Sequence, residues 1–277
     1  MGKKYHYTAS AITRTTGVAG LLLGIGSTNF FNSSIFPEWG WRIPFLLSMP
    51  LAVLTIYYRN FLEETPVFIE SQKEAVEFTN IMPFIKKQWK ALLLAIMLSG
   101  GFGVTYQVAV IFMKQYLPLV MPNSSSIIST FSVLAVLGFG ASMPIAGLIA
   151  DSLSRSVVFK ISLVLTLISC ATLVIAINQK LLNLALISYL SLAIAISPFN
   201  ALAHGVIAKA FKANERYRGI GLGHATGSLL MSGTANYICL LFMRNYDFIL
   251  FPIIYVAFFA LIAYISIELF AKRSIFK

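Results

Sequence analysis

Charged residues are scarce in this sequence. Only 11% of its 277 residues are Asp, Glu, Lys or Arg, whereas soluble domains carry about 25%. With so little charge, the surface that faces water must be small. A hydrophobic content of 58% and a mean hydropathy of +0.80 agree with this. We therefore expect a polytopic membrane protein rather than a soluble domain.

Cysteines and recognisable catalytic motifs are also rare or missing. Cys170 and Cys239 each lie in an apolar run, so the sequence predicts no disulfide framework and no metal site. It has no H-E-x-x-H, G-x-S-x-G or P-loop pattern. We expect no metal, no cofactor and no enzyme activity, and a polytopic membrane enzyme is the disfavoured alternative.

Long apolar runs are what the sequence has in abundance. A helix needs about 20 mainly apolar residues to cross a bilayer. Eight stretches qualify, which predicts an all-α polytopic membrane helical bundle of about eight transmembrane helices. A polar and charged segment, 63–89, is predicted to link two groups of helices. The predicted spans are 9–31, 42–62, 90–113, 126–150, 156–177, 181–208, 219–242 and 248–270.

The net charge of +11 has an explanation that does not involve nucleic acid. Cytoplasmic loops of membrane proteins collect Lys and Arg. With the N-terminus inside, only Arg42, Lys114, Lys180 and Arg244 of the 21 basic residues fall at outer helix ends. The sequence therefore predicts that both termini are cytoplasmic and that nucleic acid is no partner.

Several glycines recur at the spacing used in helix packing, where small residues let backbones approach closely. Gly20 and Gly24 form one such pair, and Gly223 and Gly227 form another. The segment GLGHATG, residues 221–227, superficially matches a dinucleotide fingerprint. It has no preceding strand and lies in an apolar span, so we interpret it as a helix-packing motif.

Four segments, in order along the chain, resemble one family of carriers. They are the signature from GWRIPF at 40–45 to EETPVF at 63–68, VTYQVAVIFMKQYL at 104–117, GLIADSLSR at 147–155, and ERYRGIGLG at 215–223. The chain resembles the metabolite–proton symporters, the proline/betaine transporter-like branch of the major facilitator superfamily. The signature residues are Trp41, Arg42, Pro44, Glu63, Glu64, Pro66 and Arg216.

The resemblance implies a domain organisation. The eight predicted spans correspond to family helices five to twelve, so the chain is expected to lack the first four. Residues 1–62 then form the remnant of an N-terminal six-helix half, 63–89 the central cytoplasmic linker, and 90–277 the C-terminal half.

The resemblance also implies a function. Such carriers are expected to move small polar organic solutes with protons, by alternating access around a midplane site. Proline, betaine, ketoglutarate and shikimate are candidate solutes, and a bacterial inner membrane is the expected location. Two alternatives stay open: a non-transporting remnant of a split or decayed gene, and a fragment that needs a separate polypeptide carrying the missing helices.

A charged motif closes one predicted span and opens the next. Gly147 permits close helix approach, and Asp151 can accept hydrogen bonds at the N-terminus of the following helix. Arg155 can pair with a carboxylate or with the C-terminus of a helix. By resemblance this motif is a cytoplasmic gate, and the alternative is an ordinary charged turn.

Polar residues inside predicted spans are candidates for a substrate pathway, because they are expensive in lipid. Tyr106 and Gln107 follow a run of glycines and either line a cavity or make interhelical hydrogen bonds. Asn200, His204 and His224 are further candidates. A histidine can move a proton near neutral pH, although a packing role is the favoured interpretation.

Arg14 lies within the first predicted span. Its side chain can extend to the inner interface, as long basic side chains do, and we favour this interpretation. The alternative is that it faces a cavity and binds an anionic substrate.

Overall fold

The computed structural model describes residues 5–61, 69, 81–212 and 215–272. Within these ranges the chain forms helices and turns only. This confirms the predicted all-α bundle.

Ten α-helices follow one another in the described ranges. Short 3₁₀ turns, Gly40–Arg42 and Pro122–Ser124, precede two of them, and two π-helical segments, Gln107–Phe112 and Ser228–Ser232, interrupt long helices. The helices are α1 His6–Phe31, α2 Ile43–Arg59, α3 Ile81–Tyr106, α4 Met113–Val120, α5 Ser125–Ser152, α6 Arg155–Asn178, α7 Leu182–Lys209, α8 Arg216–Gly227, α9 Ala235–Asn245 and α10 Phe251–Lys272.

Seven helical segments in the described ranges are long and apolar enough to cross a membrane. They match seven of the eight predicted spans. The eighth, 9–31, is helical as α1, but it is not among the seven. Arg14, several threonines and several glycines lower its apolarity, and its place as a membrane span remains a prediction.

The last part of the predicted linker, 81–89, is helical in the structure. Helix α3 begins at Ile81 and continues through a π-helical segment into α4 as one apolar stretch, Ile81–Val120. Polar residues such as Lys86 and Lys87 made the start of this helix resemble a linker in the sequence. Glu63, Glu64 and Pro66 of the family signature lie outside the described residues.

The chain divides into two compact units, Thr16–Val76 and the combination of Met1–Thr15 with Glu77–Lys277. The predicted boundaries at 62/63 and 89/90 remain predictions.

In the smaller unit, the first residues of the family signature form the turn before α2 and its first helical turn. A Cβ on Gly40 would approach Phe36 Cβ to 2.9 Å, so only glycine fits this turn. The Arg42 guanidinium lies 4.3 Å from the centre of the Trp41 ring, and Pro44 stands in the first turn of α2, where its missing N–H costs nothing.

In the larger unit, α7 is the central helix. It packs most extensively against α5 and α6, and also contacts α3 and α8. Most of its apolar side chains are buried, including Tyr189 and Phe199. A helix that is apolar on nearly all sides must lie inside a bundle, which is where α7 lies.

Several helix ends of the larger unit meet through polar contacts. Lys87 on α3 pairs with Glu215 just before α8, with a distance of 3.1 Å between Nζ and Oε1. The Ser156 hydroxyl donates to Glu268, joining the start of α6 to the end of α10. These ends are the ones predicted to be cytoplasmic, and the direction in which they face across the membrane remains a prediction.

Helices α3 and α8 cross at very short range through glycines. A Cβ on Gly227 would lie 2.9 Å from the backbone nitrogen of Gly100, and one on Gly223 would lie 2.6 Å from the Ala95 Cβ. This confirms that GLGHATG is a helix-packing motif. Gly20 differs, because a Cβ added to it would have no described atom within 4 Å.

The glycine crossing predicts a position-specific loss of stability. Gly227→Val should lower the thermal unfolding midpoint in lipid or detergent, because overpacking a close contact costs about 1–3 kcal/mol. Gly221→Val is the matched control, since a Cβ on Gly221 has no described atom within 4 Å. Equal midpoints for the two variants would contradict the crossing.

Candidate functional site

Most of the residues predicted to line a pathway come together in the larger unit. Arg14 is on α1, Tyr106 ends α3, Asn200 and His204 are on α7, and His224 is on α8. They come from four helices that are far apart in sequence, so only the fold can bring them together.

The Phe102 ring is the centre of this site, although it was not among the residues predicted from the sequence. The Arg14 Cζ lies 5.8 Å from the centre of the ring. The His204 and His224 rings lie 5.2 Å and 5.8 Å from it, centre to centre, and the two histidine rings are 4.8 Å apart. We call Arg14, His204 and His224 the basic cluster.

All three members of the basic cluster lie at a similar depth. Arg14 is eight residues after the start of α1, His224 is eight after the start of α8, and His204 is five before the end of α7. At 1.5 Å of rise per residue, these positions are about 8–12 Å inside the helix ends. The cluster therefore lies about two turns inside one end of the bundle.

The Arg14 side chain packs against Phe102, whose exposed fraction is only 2%. Two interpretations of Arg14 were open: its side chain either faces a cavity or extends to the inner interface. The contact with Phe102 favours the first.

The two histidines differ in their hydrogen bonds. The Nδ1 of His224 lies 3.4 Å from the Ser228 hydroxyl, and the tautomer decides which atom donates. The Nδ1 of His204 is buried and has no hydrogen-bond partner among the described residues. A buried polar atom without a partner is costly, so it marks a position where a ligand or water is expected.

The described carboxylates of the larger unit lie away from the basic cluster. Asp151, Glu215 and Glu268 are at helix ends, and Asp247 is in the turn before α10. None of them is an electrostatic neighbour of Arg14 or His204. The cluster therefore has no counter-ion within the described part of the larger unit.

Asn200 is placed differently from the histidines. Its exposed fraction is 2%, and its amide donates to the carbonyl oxygens of Phe102 at 3.4 Å and Ile196 at 3.5 Å. The bond to Phe102 joins α7 to α3 and is an interhelical bond of the kind expected in lipid.

Tyr106 and Gln107 mark a change in helix geometry. The Tyr106 ring contacts Phe139 at 5.3 Å, and Gln107 begins the π-helical segment Gln107–Phe112. Such segments insert extra backbone into a helix and are frequent at functional sites. The second π-helical segment, Ser228–Ser232, begins at the partner of His224.

The gate motif makes its contacts with α1. The Asp151 carboxylate accepts hydrogen bonds from the backbone N–H groups of Tyr7 at 3.0 Å and Thr8 at 2.8 Å, and from the Thr8 hydroxyl at 2.7 Å. The prediction that Asp151 caps the following helix was wrong, because Ser154 is the N-cap of α6. Asp151 instead satisfies the free N–H groups of α1.

The other two residues of the gate motif face the same helix. A Cβ on Gly147 would lie 2.8 Å from the Thr8 Cα, so glycine is what allows α5 and α1 to touch. The Arg155 guanidinium donates to the Tyr7 hydroxyl at 3.1 Å, and the Lys209 ammonium approaches the same hydroxyl at 3.4 Å.

Arg216, the last signature residue, opens α8 next to the contact between Glu215 and α3. Burial alone would raise the pKa of Glu215. Hydrogen bonds from Lys87 and Gln88, together with the charge of Lys87, reverse this and lower that pKa overall. The carboxylate therefore stays ionised at neutral pH, where it holds the start of α8 against α3.

No group of metal-binding side chains of the kind that holds an ion occurs among the described residues. No protein-family model matches the chain.

Curated proteins similar to this chain are bacterial transporters. The ectoine/proline transporter ProP of Corynebacterium glutamicum is 25% identical over 282 residues, which cover 96% of this chain and 53% of that protein. The proline/betaine transporter of Escherichia coli K12 is 24% identical over 263 residues, covering 90% and 52%. The alpha-ketoglutarate permease of the same organism is 22% identical, covering 86% and 55%.

The chain thus spans about half the length of the curated relatives that it matches. These relatives are named as transporters and not as enzymes, which supports the expectation that this chain is no enzyme. Together with the seven apolar helices of the described ranges, they make the chain a multi-pass integral membrane protein.

The Asp151 contact predicts how the start of α1 exchanges its amide protons. Asp151→Ala should speed hydrogen–deuterium exchange at Tyr7 and Thr8 by about tenfold or more, because bonds to a charged group contribute about 1.5–3 kcal/mol each. The matched control is Ser152→Ala, whose hydroxyl donates only to Leu148 of its own helix. Unchanged exchange in Asp151→Ala would contradict the contact.

Proposed function

We propose that this chain forms part of a carrier that moves small polar organic solutes across a membrane together with protons, by alternating access. The observation that carries the proposal is the basic cluster, which several helices build inside an apolar bundle. Similarity to bacterial solute transporters along most of the chain supports it.

The position of the cluster suits a solute site. Ionisable side chains inside a bilayer are costly and are usually kept for transport, proton movement or ligand binding. In carriers, solute sites lie between helices whose backbone is interrupted near the site. Here π-helical segments begin at Gln107 and Ser228, and both lie within a few residues of Phe102 or His224 along the chain.

The two histidines provide the proposed proton coupling. A histidine changes charge near neutral pH, and rings 4.8 Å apart disfavour two charges at once. A proton bound by one ring therefore discourages protonation of the other. Arg14, which also lies against Phe102, adds a positive charge that repels a proton on either ring. A solute that changes the charge at this site would change how readily a proton binds, and we propose that solute and proton binding are linked in this way.

The contacts of Asp151 and Arg155 provide the proposed gate. For the start of α1 to move away from α5, the Asp151 carboxylate must lose its hydrogen bonds to Tyr7 and Thr8. Alternating access requires contacts that form in one state and break in the other. We assign this role to the motif of Gly147, Asp151 and Arg155.

The candidate solutes come from the resemblance and from the names of relatives. Proline and betaine, or a dicarboxylate such as ketoglutarate, are proposed substrates, and a bacterial inner membrane is the proposed location with both termini in the cytoplasm. A separate polypeptide that supplies further helices is a proposed partner. A non-transporting remnant is the rival hypothesis.

Uptake into vesicles that contain the purified chain tests the proposal. We expect labelled proline, betaine or ketoglutarate to accumulate when a proton gradient is imposed, and the accumulation to disappear when the gradient is collapsed. Gln107→Ala should reduce it several-fold, because Gln107 begins the π-helical segment five residues after Phe102. Gln115→Ala, at an exposed position on α4, should leave it unchanged.

A second set of vesicles should contain the chain together with a polypeptide that supplies additional membrane helices. Gradient-driven uptake by the chain alone would exclude the remnant hypothesis. Uptake only in the combined vesicles would support the two-chain arrangement, and a lack of uptake in both would contradict the proposed function.

A further inference from the structure

We propose that the basic cluster binds the carboxylate of an anionic solute and selects against solutes whose charge is balanced by an ammonium group. This solute class rests on the proposed function and specifies what the same site takes. The proposed solute class differs from the one that the names of the proline and betaine relatives suggest.

The charge around Phe102 is unbalanced. Arg14, His204 and His224 converge on this one aromatic ring. The electrostatic neighbours of Arg14 and His204 within the described residues are basic side chains or Tyr106. The charge of Arg14 in a poorly hydrated site is costly unless an anion joins it, and a proton on either histidine would add to that cost. An anionic solute would supply this missing charge.

The Arg14 side chain has the chemistry that a carboxylate requires. A guanidinium presents a planar fork of donors that matches a carboxylate, and it does so more specifically than an ammonium group. Arg14 forms no ion pair with a carboxylate in the part of the chain that the structure describes, so its donors remain available to a ligand.

The His204 ring offers a second group to the same ligand. Its Nδ1 is buried and has no hydrogen-bond partner among the described residues, whereas the Nδ1 of His224 has Ser228. A carboxylate held by Arg14 would be close enough to this cluster to accept a hydrogen bond from His204. The two residues would then hold one carboxylate from two sides.

An ammonium group would meet unfavourable surroundings in this cluster. Quaternary ammonium groups bind to open aromatic faces, where the ring attracts positive charge. The Phe102 ring is already covered by Arg14 and by the His224 ring, which stacks on it at an angle of 12°. No described carboxylate of the larger unit is nearby, so the ammonium of betaine or proline would face the positive charge of Arg14.

Binding, measured separately from transport, tests the inference. The full chain in lipid nanodiscs is titrated with labelled ketoglutarate, with betaine and with the uncharged dimethyl ester of ketoglutarate. We expect ketoglutarate to bind at least about tenfold more tightly than betaine or the ester, because bonds to a charged group are strong ones.

Variants then locate the effect. Arg14→Gln should weaken ketoglutarate binding by about tenfold or more, and Arg14→Lys should restore part of the loss. Lys160→Gln removes the same charge from an exposed position of α6 and should leave binding unchanged. Equal effects of Arg14→Gln and Lys160→Gln would overturn the proposal.

The remaining outcomes are equally decisive. Tighter binding of betaine than of ketoglutarate would overturn the proposal, and so would displacement of ketoglutarate by sulfate as efficiently as by unlabelled ketoglutarate. Arg14-dependent ketoglutarate binding without uptake would support the site while contradicting the proposed transport. The failure of one proposal is therefore distinguishable from the failure of the other.

Discussion

The lack of water in a bilayer is the constraint on which this structure depends. A polar group in hydrocarbon must find its partner inside the protein or remain costly. Most polar side chains of the larger unit obey this rule in simple ways, since serine and threonine hydroxyls bond to carbonyls of their own helix, as Ser132 does to Ile128. The exceptions are therefore informative, and His204 beside Arg14 is the clearest of them.

Close packing and the candidate site share a single cause. Glycines on α3 and α8 bring the two backbones together, and a Cβ on Gly103 would lie 2.8 Å from Ser232. The same approach places His224 of α8 against Phe102, which stands between Gly101 and Gly103. The apolar crossing thus determines the position of the basic side chains.

Features that depend on residues close together in the sequence could be predicted, whereas contacts between residues far apart in the sequence could not. Helices with long apolar runs, such as α6 and α7, were predicted closely, because apolarity is a local property. The partner of Asp151 was not, since Tyr7 and Thr8 are more than 140 residues away. Phe102 was missed for a related reason, because one phenylalanine among many carries no local signal of the charges around it.

The central proposal is that the seven apolar helical segments of the described ranges cross a bilayer with the basic helix ends on the cytoplasmic side. Single cysteines at Lys86 and Lys180, in a chain whose native Cys170 and Cys239 are replaced, test it with a membrane-impermeant thiol reagent on intact cells. We predict labelling at position 180 from outside and at position 86 only after the membrane is opened. Labelling of both positions from the same side would contradict the account.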